Sequence, residues 1–438
     1  MEFYCCKKIV YCVILSLLLQ VFLPATIFAE RILWPSEMQL ENELINLDNI
    51  LPKDATSSNS KKGFLFSGDP KEIFTLGAGH IAINVTLSGK GHTMIQYLKD
   101  LKKRGIKITL ILVNDRAPVG TDLKSAPPDY QNPYFYMIDF NSNNGDWQRY
   151  NFDRILADYG RYVDNWIIGN EINSQLYNFY GAASVRDYTK VYCDSFKICY
   201  DKIKAKNKDA NVYISFDQAW DVPTYDERDR RFNKVVGKYR YNMKEQIILI
   251  NNYLGKYVDW GVALHPYPAP VESSYFWDDQ YAGYDEKADN EFDMPYLLTL
   301  KNFEIAIRFL GEKRFLNSKN EVRNIIISEF ALTSHDGERE QAAGLYYLWE
   351  KIENNPYIKA LLYNAQTDLP DGYNFGLTSD KNRKRIIWTV FRDMDKDEET
   401  RAWCKDLLDS VLEEYGYIDI EKVIFNIASL SELGIVIK

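Results

Sequence analysis

The sequence predicts an α/β fold, a closed (β/α)8 TIM barrel. Three observations carry this. Eight short β-branched or aromatic runs are bounded by turn residues, helical patterns separate most of them, and the runs are continuously apolar. Continuous apolar runs mark parallel strands covered by helices, whereas half-exposed strands alternate. In chain order the predicted strands are His80–Val85, Lys107–Asn114, Tyr134–Phe140, Val163–Gly169, Asn211–Phe216, Val258–His265, Asn324–Ser328 and Ile358–Gln366. The predicted helices between them are Thr93–Arg104, Asp146–Tyr159, Val185–Lys206, Met243–Leu254, Pro295–Leu310 and Glu338–Glu353. The stretch 115–133 departs from this pattern, with four prolines and little helical periodicity, and a barrel with one degenerate helix absorbs it. An open doubly wound sheet is the alternative. No Gly-rich phosphate loop follows the first run, which counts against its nucleotide-binding form.

The 438 residues are 46% hydrophobic and 26% charged, enough to bury a large core. With 53 Lys+Arg against 62 Asp+Glu, the formal charge of −9 offers no footprint for nucleic acid or an anionic membrane. The 32 Tyr and 9 Trp suit a ligand that is flat, partly apolar and wet. Residues 1–29 read as a signal peptide: Lys7-Lys8, an apolar run from Ile9 to Phe22, and a small-residue end at Ala29. A secreted, extracellular or periplasmic protein is expected, with no stable membrane insertion after cleavage. The alternative is an uncleaved anchor. Residues 30–62 form a polar leader, 63–395 the barrel, and 396–438 a helical extension packed on it, with a helix over Thr400–Tyr415. Beyond the leader remain Cys193, Cys199 and Cys404, an odd set that reads as buried free thiols.

In a barrel of this kind the active groups sit at the C-terminal ends of the strands. The fourth predicted strand runs into Gly169-Asn170-Glu171-Ile172-Asn173 and the seventh into Ser328-Glu329-Phe330. Two carboxylates facing each other across the mouth are the minimum apparatus for glycoside hydrolysis. One must hold a proton for the leaving oxygen while the other stays ionised, so their environments must differ. Asn170 is placed to bond a sugar hydroxyl, and Tyr267, in His265-Pro266-Tyr267-Pro268, to orient Glu329. His265 is a further candidate, against the reading of a satisfied core histidine. Asn141, Asp217, Trp220 and Gln366 lie just past other predicted strands, where a polyhydroxylated ligand needs partners. The loop 271–294 carries Tyr275, Phe276, Trp277, Tyr281 and Tyr284, which reads either as a cleft wall for sugar rings or as a self-packed surface loop.

Asn170-Glu171 after strand four and Glu329 after strand seven resemble the retaining glycoside hydrolases of clan A. The resemblance implies that Glu171 is the acid/base and Glu329 the nucleophile, and it covers about residues 63–395. Ala263-Leu264-His265-Pro266-Tyr267-Pro268 is similar to the clan's segment bearing a His or Tyr near the nucleophile. Lys61-Lys62-Gly63-Phe64, Leu76-Gly77-Ala78-Gly79-His80 and Phe375-Gly376-Leu377 resemble a secreted bacterial family of this clan whose substrate is uncharacterised. A carbohydrate is the expected partner, and no cofactor or metal is called for. A non-catalytic glycan-binding barrel is the main alternative. A metal-dependent hydrolase is weakly supported, since the four histidines include no HxH, HxxH or HxxxH spacing.

Overall fold

The computed structural model describes residues 60–416 apart from 67–68, 89–91, 115–134, 175–176, 181–182, 223–239, 278–289, 294, 370–371 and 381. The expected signal peptide, most of the leader, the proline-rich crossover and residues 417–438 lie outside the described residues. Eight parallel strands, each paired with the next in sequence, close into a barrel. They are β1 (Lys62–Leu65), β2 (His80–Thr86), β3 (Lys107–Val113), β4 (Asn165–Ile168), β5 (Asn211–Phe216), β6 (Trp260–Leu264), β7 (Ile325–Phe330) and β8 (Ile358–Tyr363). The helices are α1 (Lys71–Thr75), α2 (His92–Lys103), α3 (Gly145–Tyr159), α4 (Val185–Lys206), α5 (Met243–Leu254), α6 (Glu304–Leu310), α7 (Glu338–Glu353), α8 (Ile386–Asp393) and α9 (Glu398–Glu414).

The predicted fold class holds, but one strand was misplaced. Residues 135–140 form no barrel strand; Tyr136 makes a single bridge to Phe179, and Met137 N donates to Phe179 O at 3.2 Å. The segment is apolar because Phe135, Met137, Ile138 and Phe140 are buried, not because it joins the sheet. The strand missing from the prediction is β1. Its first residue, Lys62, looks like the end of a polar leader, yet it is fully buried. Its ammonium donates to Phe391 O at 2.9 Å, Arg392 O at 3.0 Å and Asp395 Oδ1 at 2.5 Å, and burial pulls its pKa down to about 8. One false strand and one missed strand offset each other, so β4 to β8 keep their predicted numbers. The helix predicted from Pro295 is observed only from Glu304. Asn302 explains the delay: its side chain accepts from Thr299 N at 2.8 Å and donates to Leu297 O at 3.0 Å, a local turn that competes with helix.

Residues alternate along each strand between the barrel interior and the helical layer. The interior holds Ala82, Ile111, Ile167, Tyr213, Ala263, Ile326, Ala360 and Leu362, all buried. Small and large residues are matched there. A Cβ on Gly261 of β6 would stand 2.5 Å from the Tyr213 ring, so glycine makes room for the phenol that fills the interior. Outside, α9 buries Cys404, Leu408, Val411 and Leu412. Arg401 pairs with Glu353 at 2.7 Å and Arg339 with Glu414 at 2.8 Å, so α9 runs antiparallel to α7 and climbs toward the mouth. Among the described residues the three cysteines, Cys193, Cys199 and Cys404, are buried and free. Among the described residues no helix is long and apolar enough to cross a membrane.

Candidate active site

The end of β4 is a tight turn built to present Glu171. Gly169 has φ +78° and Glu171 itself has φ +46°, the left-handed region that a residue with a Cβ seldom occupies. Surrounding bonds hold it there. Glu171 N donates to Ser215 Oγ at 3.1 Å, and Asn178 Nδ2 donates to the carbonyls of Asn170 at 2.6 Å and Glu171 at 3.0 Å. Two tyrosines of α4 grip the same turn from behind, Tyr192 donating to Ile168 O at 2.6 Å and Tyr188 to Ile172 O at 2.7 Å.

The carboxyl of Glu171 is almost sealed from solvent, and its Oε1 lies 2.9 Å from His265 Nδ1. Burial raises its pKa; the hydrogen bond and charge of His265 oppose the rise, while Asp217 and Glu329 add to it. Glu329 sits near the end of β7, where the register against β8 shifts, and its side chain keeps 26% exposure. Its Oε1 accepts from Tyr267 OH at 2.7 Å and Asn364 Nδ2 at 3.2 Å. Burial and the charge of Glu329 hold the Tyr267 phenol well above its ordinary pKa, so it serves as a donor.

His265 links the two carboxylates. Its Nδ1 is 2.9 Å from Glu171 Oε1 and 3.9 Å from Glu329 Oε2. The two oxygens are therefore no further apart than these distances laid end to end. That ceiling falls near the bottom of the range for inverting enzymes, about 6.5–9.5 Å, and above the about 5–5.5 Å of retaining ones. Nε2 meets Ser328 Oγ at 2.9 Å and Ser215 Oγ at 3.2 Å. Burial alone would lower the imidazole's pKa, but the charge of Glu329 and the contact with Glu171 outweigh it and the net shift is upward.

The other predicted residues divide. Asn170 stays half-buried at the mouth beside Glu171. The substrate-contact role expected of His265 is corrected: the ring is buried and both nitrogens are used by protein atoms. Asp217 is buried and braces the end of β5, pairing with Arg240 at 2.9 Å and accepting from Asn173 Nδ2 at 2.5 Å. Trp220 is also corrected, being fully buried with its indole donating to Phe292 O at 2.8 Å and its ring against Phe309, so no face is left for a sugar. Asn141 follows a segment that is not a strand; it is exposed and accepts from Arg149 at 3.4 Å, which removes the reason for choosing it. Gln366 is buried, with Nε2 on Asp69 O at 3.3 Å. In the loop after β6, Phe276 stacks on Tyr347 at 5.0 Å and Trp277 lies 4.6 Å from Tyr415, so this part packs against α7 and the end of α9. Tyr281 and Tyr284 are outside the described residues.

Three further residues shape the site, one of which, Asn364, the sequence places among the polar groups at the end of strand eight. Asn178 organises the Glu171 turn, and Asn364 touches Glu329. Tyr177 is the third: burial and the charges of both glutamates hold its phenol well above its ordinary pKa, and its ring stacks on Phe135 at 6.1 Å. Asn364 directly follows β8, whereas Tyr177 and Asn178 lie nine and ten residues past the end of β4, where the sequence carries no signal for them.

The sequence matches a family of unknown function, DUF5722, over residues 92–411. No curated protein sequence matches it. Among solved structures it is similar to a family 39 glycoside hydrolase from the gut symbiont Bacteroides cellulosilyticus WH2, with TM-score 0.52 and 16% identity over 78% of this chain and 64% of that one. It is also similar to the hyperthermophilic beta-glucosidase from Pyrococcus furiosus, with TM-score 0.51 and 14% identity over 82% of this chain and 99% of that one. The match thus takes in less than two thirds of the first protein's length. At these identities the likeness establishes the shared barrel fold.

Proposed function

The chain belongs to DUF5722, a family of unknown function, and we propose that it is a glycoside hydrolase working by double displacement with two glutamates. The observation that carries the proposal is the pair itself: Glu171 at the end of β4 and Glu329 at the end of β7, both within 4 Å of His265 Nδ1 at 2.9 and 3.9 Å. Their surroundings divide the labour. Glu171, its pKa raised by burial, keeps a proton to give the leaving oxygen. Glu329 is more open and receives donors on Oε1, as suits a carboxylate placed to attack the anomeric carbon. Attack breaks the glycosidic bond as Glu171 protonates the departing oxygen, leaving a glycosyl ester on Glu329. Glu171, now ionised, takes a proton from water; the resulting hydroxide opens the ester and frees the sugar. The beta-glucosidase and family 39 names among the similar structures agree with a carbohydrate substrate. The apolar N-terminus ending at Ala29 supports export of the enzyme.

The test is a panel of polysaccharides and aryl glycosides. Wild type is expected to release sugar with retained configuration, and Glu329→Gln to release none. Azide should partly restore Glu329→Ala, giving a glycosyl azide of inverted configuration. Glu171→Ala should lose far more activity on poor leaving groups than on activated aryl glycosides. Binding without release, unchanged in Glu329→Gln, would instead assign a glycan-binding barrel.

A further inference from the structure

We propose that Asn364, the first residue beyond β8, is a positioning residue for Glu329 that fixes which carboxylate oxygen attacks. This rests on the reading of Glu329 as the nucleophile. Asn364 Nδ2 donates to Glu329 Oε1 at 3.2 Å and to Tyr267 OH at 3.1 Å, while Tyr267 OH donates to the same Oε1 at 2.7 Å. Phenol and amide converge on one oxygen. Among the described residues no donor reaches Oε2, whose neighbour His265 Nδ1 stands off at 3.9 Å. Oε1 is held, and Oε2 is left to form the bond to the anomeric carbon.

The amide's orientation follows from chemistry. An ionised carboxylate only accepts, so the nitrogen must face it and the carbonyl must turn away. Asn364 Oδ1 accordingly lies buried with no partner among the described residues, an arrangement that packing alone would not favour. The backbone sets the residue in place as well, because Asn364 N donates to Phe330 O at 2.8 Å, on the residue next to Glu329. The two strand ends that carry donor and carboxylate are thus tied together one bond away from the contact.

Removing the donor destabilises the ionised form of Glu329, so its titration must move up. The experiment follows the Glu329 carboxyl by carbon NMR of glutamate-labelled protein, assigned by its loss in Glu329→Gln, alongside kcat/KM against pH. In Asn364→Ala the Glu329 midpoint and the acid limb of kcat/KM should both rise by about one pH unit, and kcat should fall about tenfold with little change in KM. Asn364→Asp keeps the shape and replaces the donor with a second carboxylate; its shift should be larger. Unmoved midpoints in both variants, with activity lost equally at all pH values, would overturn the proposal and leave Asn364 a packing residue. The NMR midpoint decides this even if wild type hydrolyses no glycoside, an outcome that would sink the proposed function separately.

Discussion

The backbone of Glu171 stands at φ +46°, a conformation that persists only because Ser215, Asn178 and two α4 tyrosines hold the turn around it. Its carboxyl and the His265 imidazole share a hydrogen bond, so their protons titrate as a pair. Glu171, Glu329 and Asp217 all act on that imidazole. The sign of one substitution follows. His265 lowers the Glu171 pKa against burial, so His265→Gln should raise it and carry the alkaline limb of kcat/KM upward by about one pH unit. A pH–rate profile checks this; an unmoved limb would mean the imidazole does not govern the acid. At this scale the two glutamates were legible because each ends an apolar run. Asn178 and Tyr177 were not, and Asn364 was legible only as a polar group at the end of strand eight, since a polar residue in a loop reveals its task only when the closed barrel brings its neighbours from other strands.

Strands and helices were legible to the extent that their burial follows from their own sequence. Val185–Lys206 and Met243–Leu254 match α4 and α5 end to end, for both bury an unbroken amphipathic stripe. β1 was hidden by a lysine whose charge is satisfied by α8 carbonyls and Asp395, partners far away in sequence. The segment after residue 134 misled for the opposite reason, as apolar residues buried above the barrel read like strand. α4 has a second duty besides covering β4, because it carries the hydroxyls that brace the turn bearing Glu171. Tyr192→Phe removes the bond to Ile168 O and should cost about 1 kcal/mol in urea unfolding. It should also lower kcat several-fold, since Gly169 to Glu171 hang directly from that carbonyl. A stability loss with unchanged kcat would show that the turn holds without it.

The closed barrel makes distant choices depend on one another. Gly261 and Tyr213 lie on neighbouring strands, and the ring takes the space a side chain on β6 would need. Gly261→Ala should destabilise the protein by about 2 kcal/mol through overpacking, and Tyr213→Leu in the same chain should recover part of it. Denaturant unfolding of the four-member cycle measures the coupling; additive losses would mean the two residues do not contend for one volume. The same filled interior has a consequence for traffic. Among the described residues the filled interior leaves the strand ends as the open side of the site, so in the proposed reaction the departing alcohol and the water that follows would pass each other at one rim. Whatever lingers there would stand first in line for the glycosyl ester proposed on Glu329. If Glu329 carries the sugar as proposed, an alcohol slow to leave, or supplied in excess, would take it in place of water, and the rate at which the doorway clears would set the balance between breaking glycosidic bonds and rebuilding them.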